Sequence, residues 1–257
     1  MICLVLAAGY ATRLYPLTKD YPKPLLKISN TTILDWLLDD IDSTGEIERY
    51  VVVANHKFYM YFKQWAAWHE HAAPIIVLDD GSTENDNRLG AVGDIQYAIN
   101  VLSIDDDLLV IAADNVLDFS LSSFIQYYRY KQTPVIMRYW EKNVERLKTS
   151  GVVEIDESDE ITRMEEKPTE PFAHWCTPPF YIYPRSVIPL IVQANCNVDA
   201  PGSLVAHIIK HIPVHAMEMH GKRYDIGDLE SYEAVQKNFA GIKGCDFKPN
   251  VLSGISI

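Results

Sequence analysis

Residues 2–26 read ICLVLAAGYATRLYPLTKDYPKPLL, and the first six of them set the architecture. Ile2 to Ala7 is an apolar run without alternation, the pattern of a strand covered on both faces in a parallel sheet. Ala8 and Gly9 then carry the chain into a turn of small residues, where backbone N–H groups can approach an anion closely. Arg13 offers a forked cation matched to phosphate oxygens, and Lys23 a point charge held between Pro22 and Pro24. Taken singly, each cation reads more simply as a solvated surface residue.

Further along, three more continuous apolar runs of strand length appear: 50–54 (YVVVA), 75–78 (IIVL) and 108–113 (LLVIAA). Between the runs, apolar residues recur every three to four positions over 32–42, 57–68 and 91–102, which predicts helices. Strand–helix repetition predicts an α/β fold: a Rossmann-like open sheet, mixed but mostly parallel, flanked by helices. Past residue 132 the pattern changes. Segments 134–139, 151–155, 160–164 and 178–183 read as strands, with helices near 185–194 and 203–211, extending the same sheet into a substrate-binding lobe. One compact domain is expected.

Composition narrows the class. The 257 residues are 48% hydrophobic and 23% charged, which excludes disordered and collagen-like chains. Lys plus Arg number 23 against 35 Asp plus Glu, a formal net charge of −12, so binding a nucleic-acid backbone is not the expected task. No apolar run approaches the length needed to span a bilayer, and the first residues read as a strand, not a signal peptide. The four cysteines are scattered without a C-x-x-C pair, which fits a reducing, cytoplasmic setting and gives no zinc pattern. No membrane partner is expected.

In an open α/β sheet, ligands bind outside the carboxyl ends of the strands, so polar residues just past the apolar runs merit inspection. Asp114 follows the run 108–113 and could hold Mg²⁺ against phosphates, or merely cap a turn. Asp225, in YDIGDLESY, has the same two readings, with Asp228 a plausible helix N-cap. Glu166 and Lys167, in MEEKP, follow a strand and by themselves describe a charged turn. Residues 85–94, NDNRLGAVGD, form a polar turn before the helix at 91–102, and Asn87 could serve as a cap there.

Together these pieces resemble the sugar-1-phosphate nucleotidyltransferases, including the glucose-1-phosphate thymidylyltransferases and uridylyltransferases. LAAGYATRLYPLTKDYPKPLL is similar to the family signature, ADN to its metal-binding G-D-N, and YDIGDLESY to its x-D-I-G-T-P-E-S-Y. GVVE and EEKP match its sugar-phosphate pocket, and RLGAVG its base-reading x-L-G-T-A-G. The resemblance spans residues 3–235. It implies a domain over 1–240, with a nucleotide-binding half (1–132), a sugar-phosphate-binding half (133–240) and a tail at 241–257. It makes Arg13, Lys23 and Asp114 catalytic, and Asp114 and Asp225 ligands of Mg²⁺. It sets Leu6, Ala8, Gly9, Asn85 and Gly90 against the nucleotide, and Gly151, Glu166 and Lys167 against the sugar phosphate. The partners implied are an NTP, with dTTP or UTP favoured, and a sugar 1-phosphate.

The pattern also departs from the family. Ala11 replaces a loop glycine, Ala113 replaces Gly, Asp228 replaces Thr, and Pro178-Pro179 stands where Thr-Gly is usual. These departures keep two alternatives open: cytidylyl transfer to phosphocholine or another non-sugar phosphate, and a sugar-nucleotide-binding protein without catalysis. His207 and His211 stand i, i+4 on an expected helix but lack a third ligand. Residues 69–71, His-Glu-His, read as an exposed helix end. Phe58, Tyr61, Phe62 and Trp65 have helical spacing and are expected in the core, the other use being a homo-oligomer contact.

Overall fold

A computed structural model describes residues 1–69 and 71–243. Among them the four apolar runs form strands Ile2–Leu6, Arg49–Ala54, Ile75–Asp79 and Leu108–Ala112, all parallel. In spatial order Ile75–Asp79 is at the edge, then Arg49–Ala54, Ile2–Leu6 and Leu108–Ala112. The sheet continues through Phe180–Tyr183, Val135–Trp140, Trp175–Thr177, Gly151–Ile155 and Ile161–Glu166, reaching ten strands with His215–Glu218, which pairs with Val135–Trp140. Only Phe180–Tyr183, Trp175–Thr177 and Ile161–Glu166 run against the rest, so the expected mixed, mostly parallel sheet is present.

Alternation along Ile2–Leu6 explains why both faces had to be apolar. Cys3 and Val5 enter one core with Leu37, Phe62 and Phe124, while Ile2 and Leu4 enter the other with Ile95, Ile188 and Leu204. Helices Ile33–Asp42, Tyr59–Trp68 and Ser122–Lys131 cover the first face; Ala91–Leu102, Ile188–Gln193 and Gly202–Ile208 cover the second. A smaller cluster of Leu14, Ile28, Ile33, Val116, Ile226 and Val235 packs the loops over the carboxyl ends of the strands. That cluster, not the sheet, holds the candidate site together.

Pro178-Pro179 has a structural use. Trp175 and Cys176 pair with Trp140 and Tyr139, but Tyr181 and Ile182 pair with Ile136 and Val135, so the register slips by two residues across the prolines. Neither proline has an N–H to give to a ladder, and the break falls there. It lets one extended segment pair with Gly151–Ile155 before the prolines and with Leu108–Ala112 after them. The two halves of the sheet are joined at this point.

Two expectations are corrected. His71 is not on an exposed helix end: its side chain is 2% exposed, and Nδ1 stands 3.0 Å from Asp42 Oδ2. Its ring packs between Tyr50 and Trp65. Phe58, Phe62 and Trp65 are buried as expected, but Tyr61 is half-exposed and meets Tyr21 edge-on. Glu70 and the tail beyond 243 lie outside the described residues. No helix among the described residues is long and apolar enough to cross a membrane.

Candidate active site

The loop after Ile2–Leu6 is pinned from several sides. Ala7 N–H donates to Val53 O at 2.9 Å, Asn55 Nδ2 to Ala8 O at 3.0 Å, and Tyr10 OH to Ser82 O at 2.9 Å. Ala11 has φ 47° and ψ 42°, the left-handed conformation in which the family's glycine would be at ease. An alanine there costs about 1 kcal/mol, and Thr18 Oγ1 helps hold it by donating to Ala11 O at 2.8 Å. A short 3-10 turn, Thr12–Leu14, follows. Leu14 is fully buried, so its neighbour Arg13 is fixed at the base while its guanidinium remains in solvent.

Lys23 opens a second 3-10 turn, Lys23–Leu25, and is only 7% exposed. Its Nζ donates to Asp114 Oδ2 at 2.8 Å, and Asn115 Nδ2 donates to Asp114 Oδ1 at 2.8 Å. Arg223 Nη1 donates to Asn115 Oδ1 at 2.7 Å and lies 3.6 Å from Asp225 Oδ2. Asp225 is brought here because strand Arg223–Asp225 pairs antiparallel with Asn115–Leu117, setting Asp225 opposite Asn115. Desolvation pushes the Asp114 pKa up, but the charge and hydrogen bond of Lys23, with Arg223 behind, hold it below the ordinary carboxylate range. Leu6, Gly9, Arg13, Lys23, Asp114 and Gly227 line one crevice. The sequence-predicted Arg13, Lys23 and Asp114 therefore share a wall.

A second pocket adjoins the first through Leu6 and Gly9 and adds Ala8, Gly90, Ala91 and Asp94. Gly90 has φ +80°, and a Cβ there would lie 2.6 Å from Val198 O, the same oxygen that accepts the Val92 N–H at 2.8 Å. Both the conformation and the close approach require glycine. Gly90→Ala is accordingly expected to raise the KM for nucleotide by about tenfold or more by displacing the pocket wall; steady-state kinetics would show it, and an unchanged KM would mean that the 198–199 loop yields freely.

The resemblance sets Asn85 against the nucleotide. It is not a wall of this pocket; it belongs to the turn Asn85–Asn87, where its Oδ1 accepts from Arg88 Nη1 at 2.8 Å. Arg88 in turn reaches Asp199 Oδ1 at 3.1 Å. Asn87 caps this same turn through Thr83 and Glu84, not the following helix.

A third, wider cleft shares Arg13 and Gly227 with the crevice and is walled by Tyr139, Trp140, Arg146, Arg223 and Asp225. Ser150 also lines it, and Ser150 O accepts the Lys167 N–H at 2.9 Å. Glu166 lies opposite Gly151 in the hairpin. Burial raises the Glu166 pKa, against the Gly202 N–H and Lys167, which favour the anion. A Cβ at Gly202 would come within 2.0 Å of Glu166 Oε1, so the carboxyl rests on the glycine itself. Tyr139, Trp140, Arg146 and Arg223 were not singled out from the sequence. Arg223 alone had a signal, two positions before Asp225 on what proves to be one strand face.

Three adjoining pockets, a cation–carboxylate pair in the middle one, and an Ala-Ala-Gly turn at the carboxyl end of a parallel strand make up the candidate site. The family model for nucleotidyl transferases matches residues 2–241. The chain belongs to this family.

Among its relatives are the bifunctional protein GlmU of Methanocaldococcus jannaschii, 25% identical over 88% of this chain and 51% of that one, and a UTP–glucose-1-phosphate uridylyltransferase of Synechocystis, 25% identical over 100% and 70%. The chain thus spans about half the length of the GlmU protein. A crystal structure of a UDP-glucose pyrophosphorylase complexed with UDP-glucose superposes with a TM-score of 0.78 at 19% identity, covering 92% of this chain and 97% of that one. The resemblance to sugar-1-phosphate nucleotidyltransferases therefore holds at the level of family and fold.

Proposed function

We propose that this nucleotidyl transferase joins an NTP, UTP or dTTP by preference, to a sugar 1-phosphate, giving an NDP-sugar and pyrophosphate. The observation that carries the reading is the continuity of the three pockets, with the Lys23–Asp114 pair in the middle one and Arg13 shared between it and the wider cleft. The uridylyltransferase of Synechocystis supports the choice of nucleotide. An oxygen of the acceptor phosphate attacks the α-phosphorus in line; the bond from that phosphorus to the bridging oxygen breaks, and pyrophosphate leaves with the electron pair. Both reactants are anions, so the protein's work is to neutralise charge and align them. Arg13 balances the departing pyrophosphate, Lys23 steadies the phosphates, and Lys167 holds the nucleophile, while Glu166 accepts hydrogen bonds from sugar hydroxyls. The cytoplasm is the proposed setting.

Mg²⁺ fits the donor set: Asp114 and Asp225 are hard oxygen donors at neighbouring strand ends, and both carboxylates are partly exposed. Among the described residues no cluster of three acidic, His or Cys side chains forms a closed metal site. Two carboxylates with phosphate oxygens completing the shell are a usual arrangement for Mg²⁺. Held there, the ion would supply charge neutralisation at the phosphates.

One observation favours a second acceptor. Trp140 is 51% exposed in the acceptor cleft, beside Tyr139, Glu141 and Glu218, and aromatic faces with carboxylates attract quaternary ammonium groups. The test is Mg²⁺-dependent pyrophosphate release from each NTP, crossed with sugar 1-phosphates and phosphocholine. Turnover with UTP or dTTP and a sugar 1-phosphate is expected. Reaction with phosphocholine alone would transfer the reading to that acceptor, and a silent grid would sink both.

A further inference from the structure

Asp94 stands on the first turn of Ala91–Leu102, one turn after Gly90, and forms part of the wall of the nucleotide pocket. Its backbone is fixed, the N–H donating to Gly90 O at 2.8 Å. Its side chain is not. The residue is only 5% exposed, and Oδ1 has no hydrogen-bond partner among the described residues. A buried carboxyl left without a partner is costly, and natural structures retain one where a ligand or a proton completes it. The nearest comparison lies within this chain: Asp80, also buried, is held by Ser82 N–H and Ser82 Oγ. Asp94 has nothing equivalent, although it faces the pocket that adjoins the phosphate crevice.

We propose that Asp94 is a nucleotide-contacting residue whose carboxyl hydrogen-bonds the base. The proposal rests on the nucleotidyltransferase reading and adds to it a group that meets the base. A neutral carboxyl presents a donor and an acceptor side by side, the complement of the C=O and N–H neighbours on a uracil or thymine edge. Burial, with repulsion from Asp80, raises the Asp94 pKa to about 7, so the protonated form prevails below that pH. Of the charged groups nearby, Asp80 opposes ionisation, while Arg88 and Asp199 on the pocket rim are paired with each other at 3.1 Å. Ionisation removes the donor and adds a charge beside carbonyl oxygens, so nucleotide affinity falls as pH rises through that value.

Calorimetric titration of the whole chain with each NTP in Mg²⁺ would test this, using wild type, Asp94→Asn and Asp94→Leu, with circular dichroism as a check on folding. The Asn amide also pairs a donor with an acceptor, so D94N is expected to keep UTP or dTTP affinity within about threefold, whereas D94L loses about tenfold or more. Between about pH 6 and about pH 8.5 the wild-type affinity should weaken more than that of D94N, which has no proton to lose at this site. Equal binding by D94L and wild type would overturn the proposal and leave the functional reading standing. A D94N loss as deep as that of D94L would overturn the neutral form. Should D94L not fold, the pH comparison of D94N with wild type decides: parallel profiles refute it. A wild-type chain that binds no nucleotide would defeat the functional reading instead.

Discussion

Asp114→Asn is expected to lower turnover by more than about 100-fold while the protein stays folded. Asn keeps the shape and an acceptor for Lys23 Nζ, now 2.8 Å from Oδ2, but removes the negative charge that the proposed metal needs. It also leaves a nearly buried ammonium without its counter-charge, because Lys23 is only 7% exposed. Some thermal stability should be lost, and its pH dependence is diagnostic. The Asp114 pKa is depressed in the folded state, chiefly by Lys23 working against desolvation. The stabilisation from this group is therefore present above the unfolded carboxylate pKa, about 3.9. It is lost as pH falls through the lower folded value. The difference in Tm between wild type and D114N should close in acid and remain open at neutrality. Pyrophosphate release at saturating substrate gives the rate, and a D114N turnover within about tenfold of wild type would remove Asp114 from the reacting phosphates.

The parts of the fold legible in sequence were those where burial is symmetrical and local pattern suffices. Four apolar runs gave four parallel strands, and three helical periods gave Ile33–Asp42, Tyr59–Trp68 and Ala91–Leu102. Ser122–Lys131, SSFIQYYRYK, drew no such expectation, because its buried face is built from Phe124, Tyr127 and Tyr128 amid polar neighbours. His215–Glu218 and Arg223–Asp225 are short, and each is a strand only because a distant one pairs with it. The site shows the same division. Arg13, Lys23 and Asp114 were readable as motif residues at the end of a strand. That Arg223 holds Asn115 across 108 residues of sequence was not. Nor was the burial of Asp94, whose position as the fourth residue of the helix Ala91–Leu102 is ordinary in sequence.

Arg13→Ala should also reduce turnover by more than about 100-fold, corresponding to roughly 2.7 kcal/mol of transition-state stabilisation. Unlike Lys23, Arg13 is exposed and forms no ion pair among the described residues. Its guanidinium lies near Gly227, where an added Cβ would meet Nη1 at 3.8 Å, and it borders both the crevice and the acceptor cleft. An unpaired fork at a junction of anion sites has little structural purpose; truncating it should leave stability within about 0.5 kcal/mol, because buried Leu14 anchors the turn. Arg13→Lys keeps the charge but not two parallel donors, and intermediate rates are expected from it. Because the equilibrium constant is fixed, the overall kcat/KM of synthesis and of pyrophosphorolysis must fall by the same factor in R13A whatever its cause, so the split between kcat and KM decides: if Arg13 acts on the transferring phosphates, kcat falls in both directions. Separate kcat and KM values for NDP-sugar cleavage by pyrophosphate, alongside those for synthesis, distinguish this from a role in substrate capture. A loss carried by KM values in both directions, with kcat intact in each, would make Arg13 a binding residue only.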